Sequence, residues 1–365
     1  MRNPDAAYWW LRLLSVPGVG PVRYRALLAR FGEPQAVFQA SDSQLRTVDQ
    51  IDAKTASAIA GHRDDNWAVS QQQAMARHQA FLLTIDQPDY PALLKKTDDA
   101  PPVLFVKGSC ELNAKPVVAV VGSRLATQYG KATAELLGRD LSSAGFLVVS
   151  GMARGIDSSA HRGALSAGEP TVAVLGCGVD VVYPPENLKL RDQIAACGAV
   201  ISEYPMGEGP LAGHFPNRNR IITGMSLGVV AVEARADSGV FSSVRWAADQ
   251  GREVFAVPGP ISSEASSGTN RLIKHGAKLV QSVNDIIEEL RPQMAGLRKT
   301  DLKQTAPRLG KEEEPIFELL SDQPRHVDSL AQQAQRSVTE VLRALFDLEM
   351  RGLVRQLPGK MYIKA

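Results

Sequence analysis

The segment Phe215-Pro-Asn-Arg218-Asn219-Arg220 gathers an aromatic face, two guanidinium groups and an amide just before an apolar run, Leu227–Val232. Together these residue types suit one chemistry. The Phe215 ring offers a stacking surface for a base, Arg218 and Arg220 offer charge-assisted contacts to phosphates, and Asn219 offers hydrogen bonds to a base edge or to its own turn. Stacking of this kind contributes about 1–3 kcal/mol per base. Spacing alone leaves a second reading open, with Phe215 as a plug in the core and the arginines ion-paired as scaffolding.

Further candidates follow short β-branched runs at Val117–Val121, Phe146–Val149, Thr171–Leu175, Ala199–Ile201, Leu227–Val232 and Glu253–Val257. The first is followed by Gly122-Ser123-Arg124, and the second by Ser150-Gly151-Met-Ala-Arg154-Gly155-Ile-Asp157. Gly176-Cys-Gly178, Ser202-Glu203-Tyr-Pro and Glu233-Ala-Arg235 follow the next three. Glycines let a backbone come close to a ligand, and helix N-termini turn unpaired N–H groups toward anions. Arg124, Arg154, Arg218 and Arg220 are carried to the same ends, and phosphate recognition is their common explanation.

Other chemistries find less support. The first turn is not G-x-G-x-x-G, and Gly176-Cys-Gly178 lacks the later glycine and acidic residue, so a nicotinamide site is disfavoured. No G-x-x-x-x-G-K-[ST] occurs, which excludes a P-loop NTPase. Asp157 and His161 stand four apart and read as a local structural pair, Asp157 capping a helix and holding His161. Glu203 and Glu233 read as partners for Arg218, Arg220 or Arg235 rather than as catalytic carboxylates. No His/Cys/Asp cluster has metal-ligand spacing. A cofactor, a metal and catalytic turnover are therefore not expected.

The elements that must position these residues follow from pattern. Strand runs alternating with helical stretches such as Tyr129–Ala144 and Asp157–Ala167 predict an α/β fold, a doubly wound parallel sheet covered by helices on both faces. Residues 1–83 are helix-patterned, with Pro17-Gly-Val-Gly20 between two amphipathic helices and a weaker echo further on, as in a paired helix-hairpin-helix. Residues 84–290 carry the sheet, 291–311 read as a linker, and 312–365 as a winged helix. In that last segment Ser337 and Glu340 form a capping box, and two strands meet through Pro358-Gly359.

Residues 85–290 hold 19 Lys/Arg against 22 Asp/Glu, so a polyanion would have to be met by locally gathered cations. In the winged helix Arg343 and Arg351 are offset by Asp347 and Glu349, a poor surface for a major groove. The three cysteines form no C-x-x-C pair, and no long apolar run occurs. A soluble, cytoplasmic protein without membrane insertion is expected.

The chain closely resembles the DNA-processing protein A (DprA/Smf) family. The resemblance rests on GSR at 122–124, SGMARGID with His161 at 150–161, GCGVDVVYP at 176–184 and SEYP at 202–205. FPNRNRIITGMS at 215–226, VEA at 232–234, GREVFAVPG at 251–259 and GTNRLIKHGA at 268–277 follow in family order. It implies an extended Rossmann-like core that binds single-stranded DNA without sequence preference. It also implies a homodimer with no known turnover, which protects incoming strands and loads the RecA recombinase in natural transformation. By matching motif, Gly122, Ser123, Arg124, Phe215, Arg218, Asn219 and Arg220 would line the strand-binding pocket. Gly151, Arg154 and Gly155 would shape its floor, and Lys274 would form a wall.

The chain departs from the family where Ser238-Gly239-Val240-Phe241-Ser242-Ser243-Val244 replaces the usual Ser-Gly-Ser-Leu-x-Thr-Ala. The alternative function is a phosphoribohydrolase of the related Rossmann-like group, acting on nucleoside monophosphates. Its Pro-Gly-Gly-x-Gly-Thr turn is missing, with Val257-Pro-Gly-Pro260 the nearest approach.

Overall fold

The computed structural model describes residues 4–63, 65–108, 111–297, 314–321, 323–350, 354–357 and 359–364. Two compact units emerge, residues 1–297 and 298–365. The first is built on a nine-stranded sheet. Its strands are β1 (Ala80–Thr84), β2 (Val103–Gly108), β3 (Val117–Val121), β4 (Leu147–Ser150), β5 (Thr171–Val174), β6 (Ala199–Ser202), β7 (Gly228–Ala231), β8 (Glu253–Ala256) and β9 (Lys278–Leu279). Their spatial order is β1-β2-β6-β5-β4-β3-β7-β8-β9. From β6 to β9 every neighbouring pair is parallel, whereas β2 runs antiparallel to both β6 and β1. The six expected strands are thus present to within a residue or so at each end. The antiparallel strands β1 and β2 and the two-residue β9 are not among the expected strands.

Successive side chains of a strand point to opposite faces. In β3, Val117, Ala119 and Val121 join one buried cluster while Val118 and Val120 join the other. Both faces are covered, which is why the central strands read as unbroken apolar runs rather than as alternation. The first cluster continues without a break into the N-terminal helices, through Leu11, Tyr24, Leu27 and Ile59. The boundary expected at residue 83 therefore cuts through β1, and the helical hairpins share a core with the sheet. Their turns are tied as well: Arg23 donates to the Gly18 carbonyl and to Thr55 Oγ1, both at 3.0 Å.

The order of strands sets where ligands can lie. The chain steps from β3 outward through β4, β5 and β6, then returns to β7 on the other side of β3. Loops leaving the carboxyl ends of β3 and β7 consequently diverge and open a crevice, the switch point at which such sheets bind ligands.

The second unit contains helices Glu314–Leu319, Val327–Ala334 and Val338–Met350 with a three-stranded antiparallel sheet. The expected capping box is formed, Ser337 N–H donating to Glu340 Oε2 at 2.9 Å and Glu340 N–H to Ser337 Oγ at 3.3 Å. So is the hairpin of Val354–Leu357 and Met361–Lys364. Of the expected linker, residues up to Leu297 belong to the helix Val283–Leu297, which runs on through Pro292. The rest of the linker, Arg351, and the side chains of Arg343 and Asp347 lie outside the described residues. Among the described residues no helix is long and apolar enough to cross a membrane.

Candidate nucleic-acid interface

The switch point holds a groove of about 590 Å³. One bank is the turn after β3, which is strapped across to the end of β7. Ser123 N–H donates to the Glu233 carbonyl at 2.8 Å, and the buried Glu233 carboxylate accepts from Thr127 N at 2.9 Å and Thr127 Oγ1 at 2.6 Å. Glu233, expected to hold an arginine, holds this turn instead. Gly122 and Ser123 line the groove at its base, and Arg124 projects from the tip into solvent.

The loop after β4 reaches the floor of the groove through Ala153 and Asp157, whereas Gly151, Arg154 and Gly155, expected to shape that floor, do not line it; Gly151 and Arg154 border a separate small cleft. Met152 sits in the left-handed region at φ 55°, and the loop is pinned from several sides. Asn187 Nδ2 donates to the Met152 carbonyl at 2.8 Å, and the buried Asp157 carboxylate accepts from Gly151 N at 3.2 Å and Ala153 N at 3.4 Å. Strained conformations of this kind persist only where surrounding bonds over-determine them. Gly155, at φ 75°, lies against the Ser123 carbonyl, so the two loops touch without an intervening side chain.

The helix His214–Gly224 supplies the remaining bank. Residues three and four apart share a helix face, whereas residues two apart are turned about 200° from each other. Phe215, Arg218 and Asn219 accordingly line the groove together. Arg220 does not. It is buried against Asp99 Oδ2 at 3.3 Å and pairs with Glu203, facing a separate groove beside Leu14 and Pro21. The expectation that Arg220 reaches the same rim is corrected, while the expected Glu203–Arg220 pair is present.

Arg218 also differs from a surface phosphate ligand. It is only 4% exposed, and its Nη1 donates to the Gly151 carbonyl at 2.7 Å and to the Val174 carbonyl. Burial lowers its pKa, with the Asp157 carboxylate opposing and Arg124 reinforcing that shift. For Asp157, burial outweighs the attraction of Arg218 and raises the carboxyl pKa. Arg218 is thus a strut joining the loop after β4 to the end of β5. Gly151 fits beneath it because a Cβ there would strike the guanidinium.

His161 is not held by Asp157. Its Nδ1 lies 2.8 Å from Thr171 Oγ1, whose hydroxyl donates to the Val148 carbonyl. The hydroxyl proton being used, Nδ1 carries the imidazole hydrogen, and Nε2 is buried without a partner. Burial, with the charges of Arg218 and Arg162, holds the His161 pKa down at about 3.

Arg124 completes the site. Its guanidinium lies 5.0 Å over the Phe215 ring, and Tyr183 packs on the same ring at 5.3 Å. Sequence reasoning misses Tyr183; an aromatic side chain inside a Gly-rich loop after a strand is the signal that could have found it. Arg154 is exposed and forks onto Glu186, with Nη2 3.1 Å from Oε2. Lys274 lies exposed at the end of helix Glu264–Lys274 and does not line the groove, which corrects its placement as a wall. From the segment that departs from the family pattern, Ser238, Gly239, Val240, Ser242 and Ser243 line the groove together with Arg235, whereas Phe241 lies under the Arg271 guanidinium. Among the described residues no group of His, Cys, Asp and Glu is placed to hold a metal ion.

Residues 81–291 match the family model described as DNA recombination-mediator protein A. Residues 300–360 match the DprA winged helix domain, and residues 11–60 a SAM-like helix-hairpin-helix tandem. Protein Smf of Synechocystis sp. is 33% identical over 99% of both chains, and Protein Smf of Escherichia coli 39% identical over 76% of both. Among solved structures, DNA processing protein A from Streptococcus pneumoniae superposes with a TM-score of 0.69 at 36% identity, covering 77% of this chain and 97% of that one. The Helicobacter pylori protein, described for its single-stranded DNA binding mode, gives 0.54 at 31% identity over 60% of this chain and 98% of its own. With a switch-point groove of this make and similarity along nearly its whole length, the chain belongs to the DNA-processing protein A (DprA/Smf) family.

Proposed function

We propose that the switch-point groove binds single-stranded DNA without sequence preference, and that the chain acts as a recombination mediator rather than as an enzyme. The observation that carries this reading is Arg124 and Phe215 side by side at the carboxyl end of the sheet, a cation and a stacking face in one groove. Stacking platforms beside cations suit unpaired strands, because every base has a π-face. The single-stranded DNA binding ascribed to the Helicobacter pylori relative supports it. The family resemblance extends the proposal to a cytoplasmic homodimer that shields incoming strands and passes them to RecA during natural transformation. The hydrolase alternative gains nothing from the site: Asp157 and Glu233, the nearby buried carboxylates, are occupied by backbone N–H groups and Thr127.

The test is a salt titration of oligothymidine binding. Log affinity should fall against log salt with a slope of about −0.7 per phosphate neutralised. Arg124→Ala should shed about 2 kcal/mol of binding, a lost charge-assisted contact, with the melting curve unmoved because the side chain is exposed. Wild-type protein that fails to bind at low salt would refute the proposal.

A further inference from the structure

A second, smaller space lies beside Arg124, and its role rests on the single-strand reading. Arg124 and Phe215 border both the main groove and a cleft of about 20 Å³ walled by Gly151, Arg154, Gly176 and Tyr183. That volume admits roughly one water and no base. The ring of Phe215 is held by Tyr183 and by Gly176, where a Cβ would come within 3.2 Å of it. Arg154 and Arg235 are paired with Glu186 and Glu264, whereas Arg124 has no carboxylate partner among the described residues. Its guanidinium, planar and stacked, rests on the ring through a cation–π contact.

The geometry points to a base subsite that Arg124 itself occupies. A nucleobase enters between Phe215 and the loop after β4 by displacing the guanidinium from the ring, and the freed guanidinium turns to the adjoining phosphate. The ligand class is a neutral, flat heterocycle joined to a phosphodiester. The exchange replaces one stacked plane by another, so it demands a base without reading which base. A sugar–phosphate backbone lacking bases can recruit Arg124 only by leaving the ring uncovered. The Arg124–Phe215 contact thereby discriminates against strands without bases.

The experiment compares oligothymidine with an abasic strand of equal length, at one low salt concentration, on wild type, Phe215→Leu and Phe215→Trp. Phe215→Leu removes the base platform and the resting place of Arg124 together. Oligothymidine affinity should fall about 5- to 150-fold, the range for one lost stack, while abasic-strand affinity rises about two- to fivefold. Phe215→Trp, the better cation–π partner, should shift the abasic strand the other way by a similar factor. That variant carries the test alone should Phe215→Leu lose its fold by circular dichroism. Abasic-strand affinity that stays constant across the variants, or falls in parallel with oligothymidine, overturns the exchange. Wild type that binds neither strand overturns the single-strand reading itself, a different outcome.

Discussion

Lowering the pH from 7 to 4 should narrow the stability gap between the wild-type chain and His161→Gln by about 3 kcal/mol. An unfolded histidine takes up a proton near pH 6.5, whereas the buried His161 resists until about 3. Between those values the unfolded state binds more protons than the folded one, so stability contributed by neutral His161 is present above pH 6.5 and drains away as the pH falls. The slope is about 1.4 kcal/mol per pH unit. Glutamine keeps a hydrogen-bonding group toward Thr171 but does not titrate, so its curve lacks this component. Asp157 and Glu203, whose carboxyl pKa values are raised by burial, have the opposite sign. Their stabilising contributions are complete below the unfolded carboxylate range and fade as the pH rises through the folded values. Comparing two proteins that share both carboxyls isolates the histidine. Urea midpoints collected at several pH values read the gap directly, and a gap independent of pH would show that His161 protonates in the folded state.

Arg218→Ala should lower the stability of the sheet by about 3–5 kcal/mol. The substitution leaves the Gly151 and Val174 carbonyls buried without their donor, and each hydrogen bond to a charged group is worth about 1.5–3 kcal/mol. It also strips the buried Asp157 of its largest compensating charge. Arg218→Lys should recover only part of this, because an ammonium lacks the planar fork that meets two carbonyls at once. Loss of strand binding should accompany the loss of stability, since the floor of the groove is released when the loop after β4 is no longer tied to β5. A variant that binds poorly while its unfolding midpoint stays in place would mean that Arg218 contacts phosphate directly and is not a strut.

That distinction was out of reach of the sequence. Phe215-x-x-Arg218-Asn219-Arg220 presents two arginines of the same chemistry, and nothing local says that both are buried. Their helix places Arg218 and Arg220 on different faces, one against two carbonyls and the other against Asp99 and Glu203. Helical periodicity alone would have separated the two. It could not have named their partners, because Asp99 arrives from the segment before β2 and Val174 from the end of β5. The same limit applies to Asp157 and His161. Their spacing of four suggested a pair, yet each finds a better partner in another strand or loop.

By itself the sequence determined the alternation of strands and helices, the small residues at the strand ends, the capping box of the last long helix, and the presence of an aromatic–cation segment. These depend on neighbours a few residues away, so periodicity and turn chemistry express them fully. Tertiary structure alone decided that β3 lies between β4 and β7, that Arg124 comes to rest on Phe215, and that Arg218 becomes a buried strut. Those outcomes are contacts between segments tens of residues apart. They are set by which loops the strand order brings together and by the high cost of burying an unpaired charge.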